Sequence, residues 1–600
     1  MKIFPQPDKS GNYIIFERCL CHMLYAIYQF IIITMKSKEI AHLFDQIADV
    51  LEFLGENQFK VGAYRKVART LSDLTEDIEV IRKEERLREI PGVGEGIAQH
   101  INEYLDTGKI SKYEEELKKV PPELIQLMNI PGMGPKTLAL ANKKLKVKNL
   151  SDLKRVIDDG SLAGLPGLGE KKVENIRKGI ARFEVVKERT PLGLALPLVE
   201  AIMAGLKEKF KITMISPAGS LRRMKETVGD IDILVGAGQG KEIVEAFTHL
   251  PIVKEILAAG ETKGSIITDE GIQADLRVIP EKSYGAALQY FTGSQAHNVK
   301  IRGLAQKLGL KVNEYGVFRG EKAVAGKNEE GVYEALDLSW IPPEMREDRG
   351  EIELAREKKI PRLLETSDIR GDLHIHSRHS DGTGEIVDLA KKAKGKDYKW
   401  IAICDHSRSA RYARGLPESE VLKVIEEIRE LNEKLKGFQV LAGAEVDILT
   451  DGSLDFPDPL LKQLDVVVGA VHQGFKKDVT RRMTRAMENP YLKIIAHPTG
   501  RLISSREGYE VDIDAVMEKA AETGTALEIN AHYDRLDLDD VNSMKARKMG
   551  VKLAIGTDAH SVVMLDYMRL GVAVARRGWL GPEDIVNTWS AEKIKDWKKN

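Results

Sequence analysis

The sequence has 600 residues, enough for about four domains at ~150 residues each. Its composition, 42% hydrophobic and 30% charged, is typical of a soluble globular protein and excludes disordered, collagen-like and membrane-channel classes. The net charge of −1 means that any affinity for nucleic acid must come from local patches. Three cysteines, Cys19, Cys21 and Cys404, exclude a disulfide scaffold or a thiolate zinc finger and fit the reducing cytoplasm.

Residues 1–34 differ from the rest of the chain. The apolar run 20–34 contains His22 and Gln29 and is shorter than the roughly 20 residues that span a bilayer. Charged residues precede the run, and no small-residue cleavage site follows it. We therefore expect a non-native or disordered extension without a membrane anchor, and a functional protein that begins with the amphipathic helix at Met35.

Three turns between Met35 and residue 190 share one design, hydrophobic–Pro–Gly–hydrophobic–Gly followed by a helix. A helix N-terminus behind such a turn presents free N–H groups to an anion, which suits a DNA phosphate. The turns resemble helix-hairpin-helix elements, which bind DNA backbone without reading sequence; the alternative is plain helix packing. Residues 121–190 hold 14 basic against 8 acidic side chains, which favours binding. The candidate DNA-contacting glycines are Gly92, Gly94, Gly132, Gly134, Gly167 and Gly169.

From Pro191 onward, strand-like runs alternate with helical stretches, as in α/β domains. Asp230 and Asp232 occupy alternate positions of one strand, so both carboxylates point to the same side of the sheet. Asp275, a lone acid between apolar residues, is the candidate for a third carboxylate. Clustered carboxylates need a compensating charge, which Mg²⁺ with its oxygen ligands supplies. Together with Arg222 and Arg223, this pattern predicts two-metal phosphoryl transfer.

Two segments carry a family resemblance. GSLRRMKETVGDID (219–232) resembles the nucleotidyltransferase signature of family X DNA polymerases, and YFTGSQAHNVKIR (290–302) is similar to their incoming-nucleotide segment. The resemblance covers residues 35–349 and implies that Asp230, Asp232 and Asp275 are catalytic metal ligands, with Asp275 nearest the primer 3′-OH. The residues that it implies for nucleotide binding are Gly219, Ser220, Arg223, Tyr290, Phe291, Gly293, Asn298 and Arg302.

The chain departs from that family pattern at two places. Repair members of the family remove 5′-deoxyribose phosphate through a lysine, but this sequence has His100 there and Gly96 at the helper position. Imidazole does not form a stable imine, so lyase activity is in doubt, although Lys60 and Arg65 suit a 5′-phosphate pocket. The arginine that often lies two residues before the third aspartate is replaced by Gln273, and we expect this change to alter the orientation of that aspartate.

Beyond the charged segment 344–368, short β-runs alternate with helices and end in polar residues. This alternation predicts a mainly parallel α/β barrel whose chemistry lies at the C-terminal ends of its strands. Imidazoles with carboxylates suit Zn²⁺, Mn²⁺ or Fe²⁺ better than Mg²⁺, and such sites hydrolyse phosphoesters. Asp405 lies beside one of these ligands. The candidate ligands are His374, His376, Asp381, His406, Glu445, His472, His497, Asp558 and His560.

This half resembles the PHP (polymerase and histidinol phosphatase) domain over residues 369–575. The resemblance implies two or three ions, Mn²⁺ or Zn²⁺, with Glu445 shared between sites. It assigns His374, His376, Glu445 and Asp558 to one ion, Glu445, His472 and His497 to a second, and Asp381, His406 and His560 to a third. His379 and His532 match no ligand position and are read as substrate-facing or structural. In a polymerase of this type, the domain implies 3′→5′ exonuclease and 3′-end phosphoesterase activity.

We therefore expect a multidomain enzyme with a helical helix-hairpin-helix region, an α/β nucleotidyltransferase palm, a small α+β thumb and a distorted (β/α)7 PHP barrel. It would be a cytoplasmic monomer that acts on gapped or primer-template DNA and dNTPs. The alternatives are a PHP-type phosphatase of small phosphoesters with a DNA-binding N-terminal half, and a DNA-binding scaffold without catalysis. The expected boundaries are 1–34 extension, 35–120 N-terminal domain, 121–190 fingers, 191–280 palm, 281–347 thumb, 348–368 linker, 369–575 barrel and 576–600 tail.

Overall fold

The structure, a computed structural model, describes residues 37, 39–72, 78–90, 92–128, 130, 132–186, 189–503 and 505–598. The predicted extension 1–34 lies outside these residues. The described chain forms two compact units, which divide between Arg189 and Thr190. None of the described helices is both long and apolar enough to cross a membrane.

The first unit is helical and has two apolar clusters. Phe44 and Ile101 are fully buried in one cluster, and Leu138 and Ile176 in the other, because apolar residues recur at helical spacing on one face of each helix. The helices span 39–53, Gln58–Ser72, Ile78–Lys83, Glu95–Thr107, Ser111–Leu117, Pro122–Leu127, Pro135–Leu145, Leu150–Asp158 and Glu170–Val186.

The second unit begins with the palm, a five-stranded sheet. Its strands lie in the order Met214–Pro217, Ile231–Gly236, Gln273–Ile279, Lys263–Thr268 and Val253–Ala259. The second and third strands run parallel, and the other neighbours are antiparallel. The two-residue strands Thr190–Pro191 and Thr227–Val228 form a separate pair. Palm helices span Leu192–Lys209, Gly219–Arg222 and Gly240–Thr248.

The thumb packs helices on a small antiparallel sheet. Tyr333 and Val317 are fully buried in its apolar cluster. The helices are Tyr284–Thr292, Gln295–Lys307 and Glu329–Glu334, and the strands are Lys311–Asn313, Gly316–Arg319 and Lys322–Ala325.

The charged segment predicted as a linker is partly helical and packs against its neighbours. It contains the helix Glu351–Arg356, whose first residue is buried and accepts a 2.7 Å hydrogen bond from Nδ1 of His297 in the thumb. Ala355 and Leu364 of the same segment are fully buried. The segment therefore fixes the thumb against the barrel that follows.

The C-terminal half confirms the predicted mainly parallel barrel. Seven parallel strands follow one another in chain order, and a bridge between Ile375 and Ala559 nearly closes the ring. The strands are Gly371–Ile375, Trp400–Ile403, Gln439–Asp447, Val466–Ala470, Ile494–Ile495, Ala526–Asn530 and Leu553–Gly556. The helices are Ile386–Gly395, Glu418–Lys434, Asp458–Leu461, Val479–Ala486, Ile513–Thr523, Asp540–Lys548, Met568–Arg577 and Ala591–Asp596.

The segment predicted as a tail, 576–600, is part of the barrel in its described portion. Val586 and Ile594 are buried, and the side chain of Asn587 bonds the carbonyl oxygens of Gly371 and Ile555 at 2.9 and 2.8 Å. These contacts cover one end of the barrel.

Palm and barrel share one continuous apolar core. A Cβ atom at Gly193, in the first palm helix, would clash with Cβ of Tyr533 and lie 3.2 Å from Leu570 of the barrel. The ion pair between Arg569 and Glu200 adds a polar contact at 2.8 Å. Glycine is therefore required at position 193 for the two domains to pack so closely.

Candidate active sites and DNA contacts

The three palm carboxylates converge at the edge of the sheet. Asp232 and Asp275 are direct neighbours on the two parallel strands, and Asp230 precedes the first of these strands. One oxygen atom from each residue lies within 4.8 Å of the others. This oxygen-only donor set fits a divalent cation such as Mg²⁺.

Electrostatics support that fit. Burial, together with the charges of Asp230 and Asp275, raises the pKa of Asp232 to about 6. Three carboxylates in this position repel one another unless a cation joins them. Gln273 donates a 2.9 Å hydrogen bond to Asp275, and the Ser265 hydroxyl donates another. The glutamine at the usual arginine position therefore orients the third carboxylate by a neutral amide.

Of the predicted triphosphate residues, Gly219 lies directly beside a palm carboxylate. Gly219 and Ser220 open a short helix, and a Cβ atom at Gly219, where φ is +57°, would clash with Oδ2 of Asp232. Arg223 follows this helix, and its Nε donates to Oε1 of Glu347 at 3.0 Å. Its Nη1 donates to the carbonyl oxygen of Thr292. Two internal contacts thus fix the guanidinium.

Arg222 has a structural role instead of the expected phosphate role. Glu329 binds it with both carboxylate oxygens at 2.7 Å, and Arg346 donates to the same carboxylate at 2.7 Å. Burial opposes ionisation of Glu329, but the two guanidinium groups outweigh it and lower its pKa to about 2. The Arg222 guanidinium is therefore held by the thumb.

The predicted incoming-nucleotide segment spans the end of one thumb helix and the start of the next. The rings of Tyr290 and Phe291 meet edge to face at 5.2 Å, and the guanidinium of Arg277 lies 4.7 Å from the Phe291 ring centroid. Gly293 ends the first helix with φ +68°, and a Cβ atom there would lie 3.3 Å from Nη1 of Arg223.

Asn298 and Arg302 lie on the second of these helices, Gln295–Lys307, at partly buried positions. The Asn298 amide donates to the carbonyl oxygen of Tyr290 at 2.7 Å and accepts from Gln289 at 2.9 Å. Asn298 thus ties the two helices together at the segment to which the nucleotide role was assigned.

The barrel brings the predicted histidines and acids together at the C-terminal ends of its strands. They form overlapping groups in which one ligand atom from each residue lies within 4.8 Å of the others. The groups are His376, Asp381, His406 and His560; His374, His376 and Asp558; and His406, Glu445 and His472. His497 lies beside the last group, with Nε2 3.1 Å from Oε1 of Glu445.

The donor chemistry of this cluster fits bound metal. Nε2 of His374, Nε2 of His376 and Oε2 of Glu445 are buried and lack a hydrogen bond of normal geometry. Burial opposes ionisation of Glu445, yet the surrounding imidazoles hold its pKa well below the usual range. Buried polar atoms that face one another without hydrogen bonds are costly unless they bind a ligand. Bound divalent cations would satisfy them.

Three residues that hydrogen-bond the candidate metal ligands were not predicted from the sequence. Glu528 accepts a 2.7 Å hydrogen bond from Nδ1 of His374, and Asp447 accepts one of 2.6 Å from Nδ1 of His472. The Asn530 amide contacts Glu528 and Asp558 at 3.1 Å. Such contacts fix the imidazole so that Nε2 faces the metal. The sequence feature that could have identified these three residues is their position at the strand ends in the segments GAEVD and EIN.

Three other polar residues of the barrel lie outside the ligand groups. Asp405 accepts hydrogen bonds from Ser377 and Ser380 and so supports the first loop. His379 pairs with Glu427 at 2.9 Å, and His532 pairs with the neighbouring Asp534. These contacts favour the structural interpretation of the two histidines.

The N-terminal unit contains a small cavity at the predicted 5′-phosphate pocket. Lys60, Tyr64, His100 and Lys112 line it, and Tyr64 stacks on His100 with ring centroids 6.3 Å apart. Burial and the nearby Lys112 lower the pKa of His100, which favours the neutral imidazole. Arg65 does not line this cavity. It binds Asp49, Glu52 and Asp45 at 2.7, 2.7 and 3.4 Å, so acids of a neighbouring helix hold its guanidinium.

The three hairpins have matching backbone geometry. The first glycine of each turn has positive φ, +95° at Gly92, +86° at Gly132 and +76° at Gly167. A Cβ atom at the second glycine, Gly94, Gly134 or Gly169, would meet no atom within 4 Å. Each second glycine immediately precedes a helix. This arrangement leaves the backbone open to close approach by a phosphate.

Family comparisons cover most of these regions. Residues 35–110 match a helix-hairpin-helix domain, and residues 124–182 match a SAM-like helix-hairpin-helix tandem. Residues 287–347 match the DNA polymerase beta thumb, and residues 372–532 match the PHP domain.

Individual relatives agree with this order of domains. A probable phosphatase of Caldanaerobacter subterraneus is 30% identical over 38% of this chain and 89% of its own length. DNA polymerase lambda of Arabidopsis thaliana is 26% identical over 52% of this chain and 62% of its own. The DNA polymerase/3′-5′ exonuclease PolX of Bacillus subtilis is 38% identical over 94% of this chain and 100% of its own. The chain therefore belongs to the family X DNA polymerases that carry a C-terminal PHP domain.

Proposed function

We propose that the chain is a DNA-directed DNA polymerase that fills short gaps in DNA repair and trims 3′ ends with a 3′-5′ exonuclease in its barrel. One observation carries this proposal: a cluster of three carboxylates and a separate cluster of buried imidazoles occur in one chain. The second supporting fact is the full-length similarity to a bifunctional relative.

In the palm, Asp230, Asp232 and Asp275 would hold Mg²⁺, which supplies positive charge for the triphosphate and for the primer 3′-hydroxyl. Arg223, Gly219 and Ser220 bind the triphosphate. Gln273 and Ser265 keep Asp275 oriented through their hydrogen bonds. The remaining nucleotide contacts are assigned to Tyr290, Phe291, Gly293, Asn298 and Arg302.

In the barrel, the predicted ligands would hold two or three Mn²⁺ or Zn²⁺ ions, which polarise the phosphodiester and its attacking water. Glu445 lies at the centre of the cluster, within 3.7 Å of five imidazoles. Glu528 and Asp447 hold the imidazoles of His374 and His472 in the binding orientation.

The hairpins and the N-terminal cavity would bind gapped DNA through its phosphates. Lys60 and Lys112 line that cavity together with the acidic Glu116, and the two lysines would bind a 5′-phosphate. With His100 at the usual lysine position, we expect no Schiff-base lyase step from this residue. Gapped or primer-template DNA and dNTPs are the proposed partners of a monomeric, cytoplasmic enzyme.

The decisive experiment measures extension on a one-nucleotide gap and degradation of a free 3′ end, each with Mg²⁺ and with Mn²⁺. We expect Asp230→Ala to abolish extension and preserve degradation, and His374→Ala to do the reverse. Loss of both activities in either folded variant would contradict two independent sites. Hydrolysis of small phosphomonoesters without any extension would favour the phosphatase alternative.

A further inference from the structure

A buried arginine of the barrel reaches the palm segment that carries the proposed triphosphate contact. Arg577 is the last residue of the helix Met568–Arg577, and its side chain is only 4% exposed. Its Nη1 donates to the carbonyl oxygen of Arg223 at 2.7 Å and to Oε1 of Glu347 at 3.2 Å. Its Nη2 donates to Asp540 at 2.8 Å. One guanidinium therefore joins the palm, the thumb and the barrel.

The carboxylate between the two arginines is shared. Nε of Arg223 donates to the same Oε1 atom of Glu347 that Arg577 contacts. Burial opposes ionisation of Glu347, but Arg223 and Arg577 outweigh it and lower its pKa. Glu347 is thus an anion that binds Arg223 in competition with any triphosphate. A second guanidinium on that anion weakens the competition.

Arg577 also fixes the backbone. The carbonyl oxygen of Arg223 is the acceptor at the end of the short helix that carries Gly219 and Ser220. Asp540, the third partner of Arg577, is itself bonded to Arg349 at 2.9 Å. Asp540 of the barrel therefore fixes the Arg577 guanidinium and is itself held by a second arginine.

We propose that Arg577 is a positioning residue for nucleotide binding in the palm. It fixes the backbone of Arg223 and partly neutralises Glu347, so that the Arg223 guanidinium remains available to the triphosphate. This inference rests on the proposed function, since it assumes that Arg223 binds the incoming nucleotide. It gives the barrel a role in polymerisation that is separate from its own metal centre.

The test uses the full chain in single-nucleotide gap filling with steady-state kinetics. Arg577→Met should raise KM for the dNTP about tenfold and leave kcat and exonuclease activity within about twofold. Arg577→Lys, which keeps the charge but loses the three-way contact, should raise KM by a smaller factor. The control is Arg569→Met on the same helix, which removes the palm contact to Glu200 without touching Arg223.

Extension by the wild-type chain tests the proposed function, and the ratio of KM values between variants tests this inference. The inference is overturned if Arg577→Met raises KM no more than Arg569→Met does. It is also overturned if kcat falls while KM stays unchanged. If Arg577→Met does not fold, Arg577→Lys decides: a raised KM supports the inference, and a wild-type KM overturns it.

Discussion

The palm and the barrel hold their candidate metal ligands in opposite ways. The palm cluster consists of oxygen atoms only, and Asp230 is exposed. The barrel cluster is dominated by buried imidazoles, two of which are oriented by carboxylates behind them. An open oxygen site suits exchangeable Mg²⁺, whereas a closed imidazole site suits retained Mn²⁺ or Zn²⁺. One chain thus keeps two phosphate chemistries apart by ligand type and burial.

The largest effect is expected when the central carboxylate of the barrel cluster is removed by Glu445→Gln. Because Glu445 contacts the imidazoles of several ligand groups, exonuclease activity should fall at least about a thousand-fold. Extension on gapped DNA should stay within about twofold, since the palm cluster is separate. Parallel assays of both activities check this, with Glu427→Gln on the barrel surface as the control. Equal loss of extension would contradict the separation.

A smaller effect on exonuclease activity is expected at Glu528, which hydrogen-bonds a candidate metal ligand. Glu528→Gln should weaken metal binding by about 10- to 100-fold, because the hydrogen bond that orients His374 loses its charge. Excess Mn²⁺ should then restore exonuclease activity, unlike in Glu445→Gln. A Mn²⁺ titration of exonuclease activity measures the shift in half-saturation. An unshifted titration curve would show that Glu528 does not orient the ligand.

The smallest effect is expected on DNA affinity, at a hairpin glycine that lies outside both metal-ligand clusters. Gly134→Val should lower the affinity for gapped DNA about threefold and lessen its salt dependence, because the side chain keeps a phosphate from the backbone. A Cβ atom at Gly134 or at Gly395 meets no protein atom within 4 Å, so Gly395→Val in the barrel is a matched control. Binding titrations at two salt concentrations check this. Equal affinities for the two variants would argue against a phosphate at this hairpin.

The sequence predicted those features that short-range spacing determines. Asp232 lies on a strand and Asp230 directly precedes it, and the barrel ligands lie at or just beyond the ends of apolar strands, so strand geometry brings each set to one edge. The three hairpin turns were visible for the same reason, since Gly-based turns between helices are local patterns.

Other features depend on contacts between residues that are distant in the chain. Glu329 binds Arg222 from 107 positions away, and Glu528 supports His374 from 154 positions away. Nothing in the local pattern shows that Glu329 binds Arg222 while Glu347 and the carbonyl oxygen of Thr292 bind Arg223. The ion pairs of Arg65 could not be predicted for the same reason, because its acidic partners lie on a preceding helix.

The close packing of Gly193 in the palm against Tyr533 in the barrel has a consequence for how DNA passes between the two domains. With a shared apolar core on both sides of that contact, the two domains form one block that has no hinge at this point. Because palm and barrel pack in one compact unit, we expect a primer terminus to reach the barrel by movement of the nucleic acid and not by rotation of a domain.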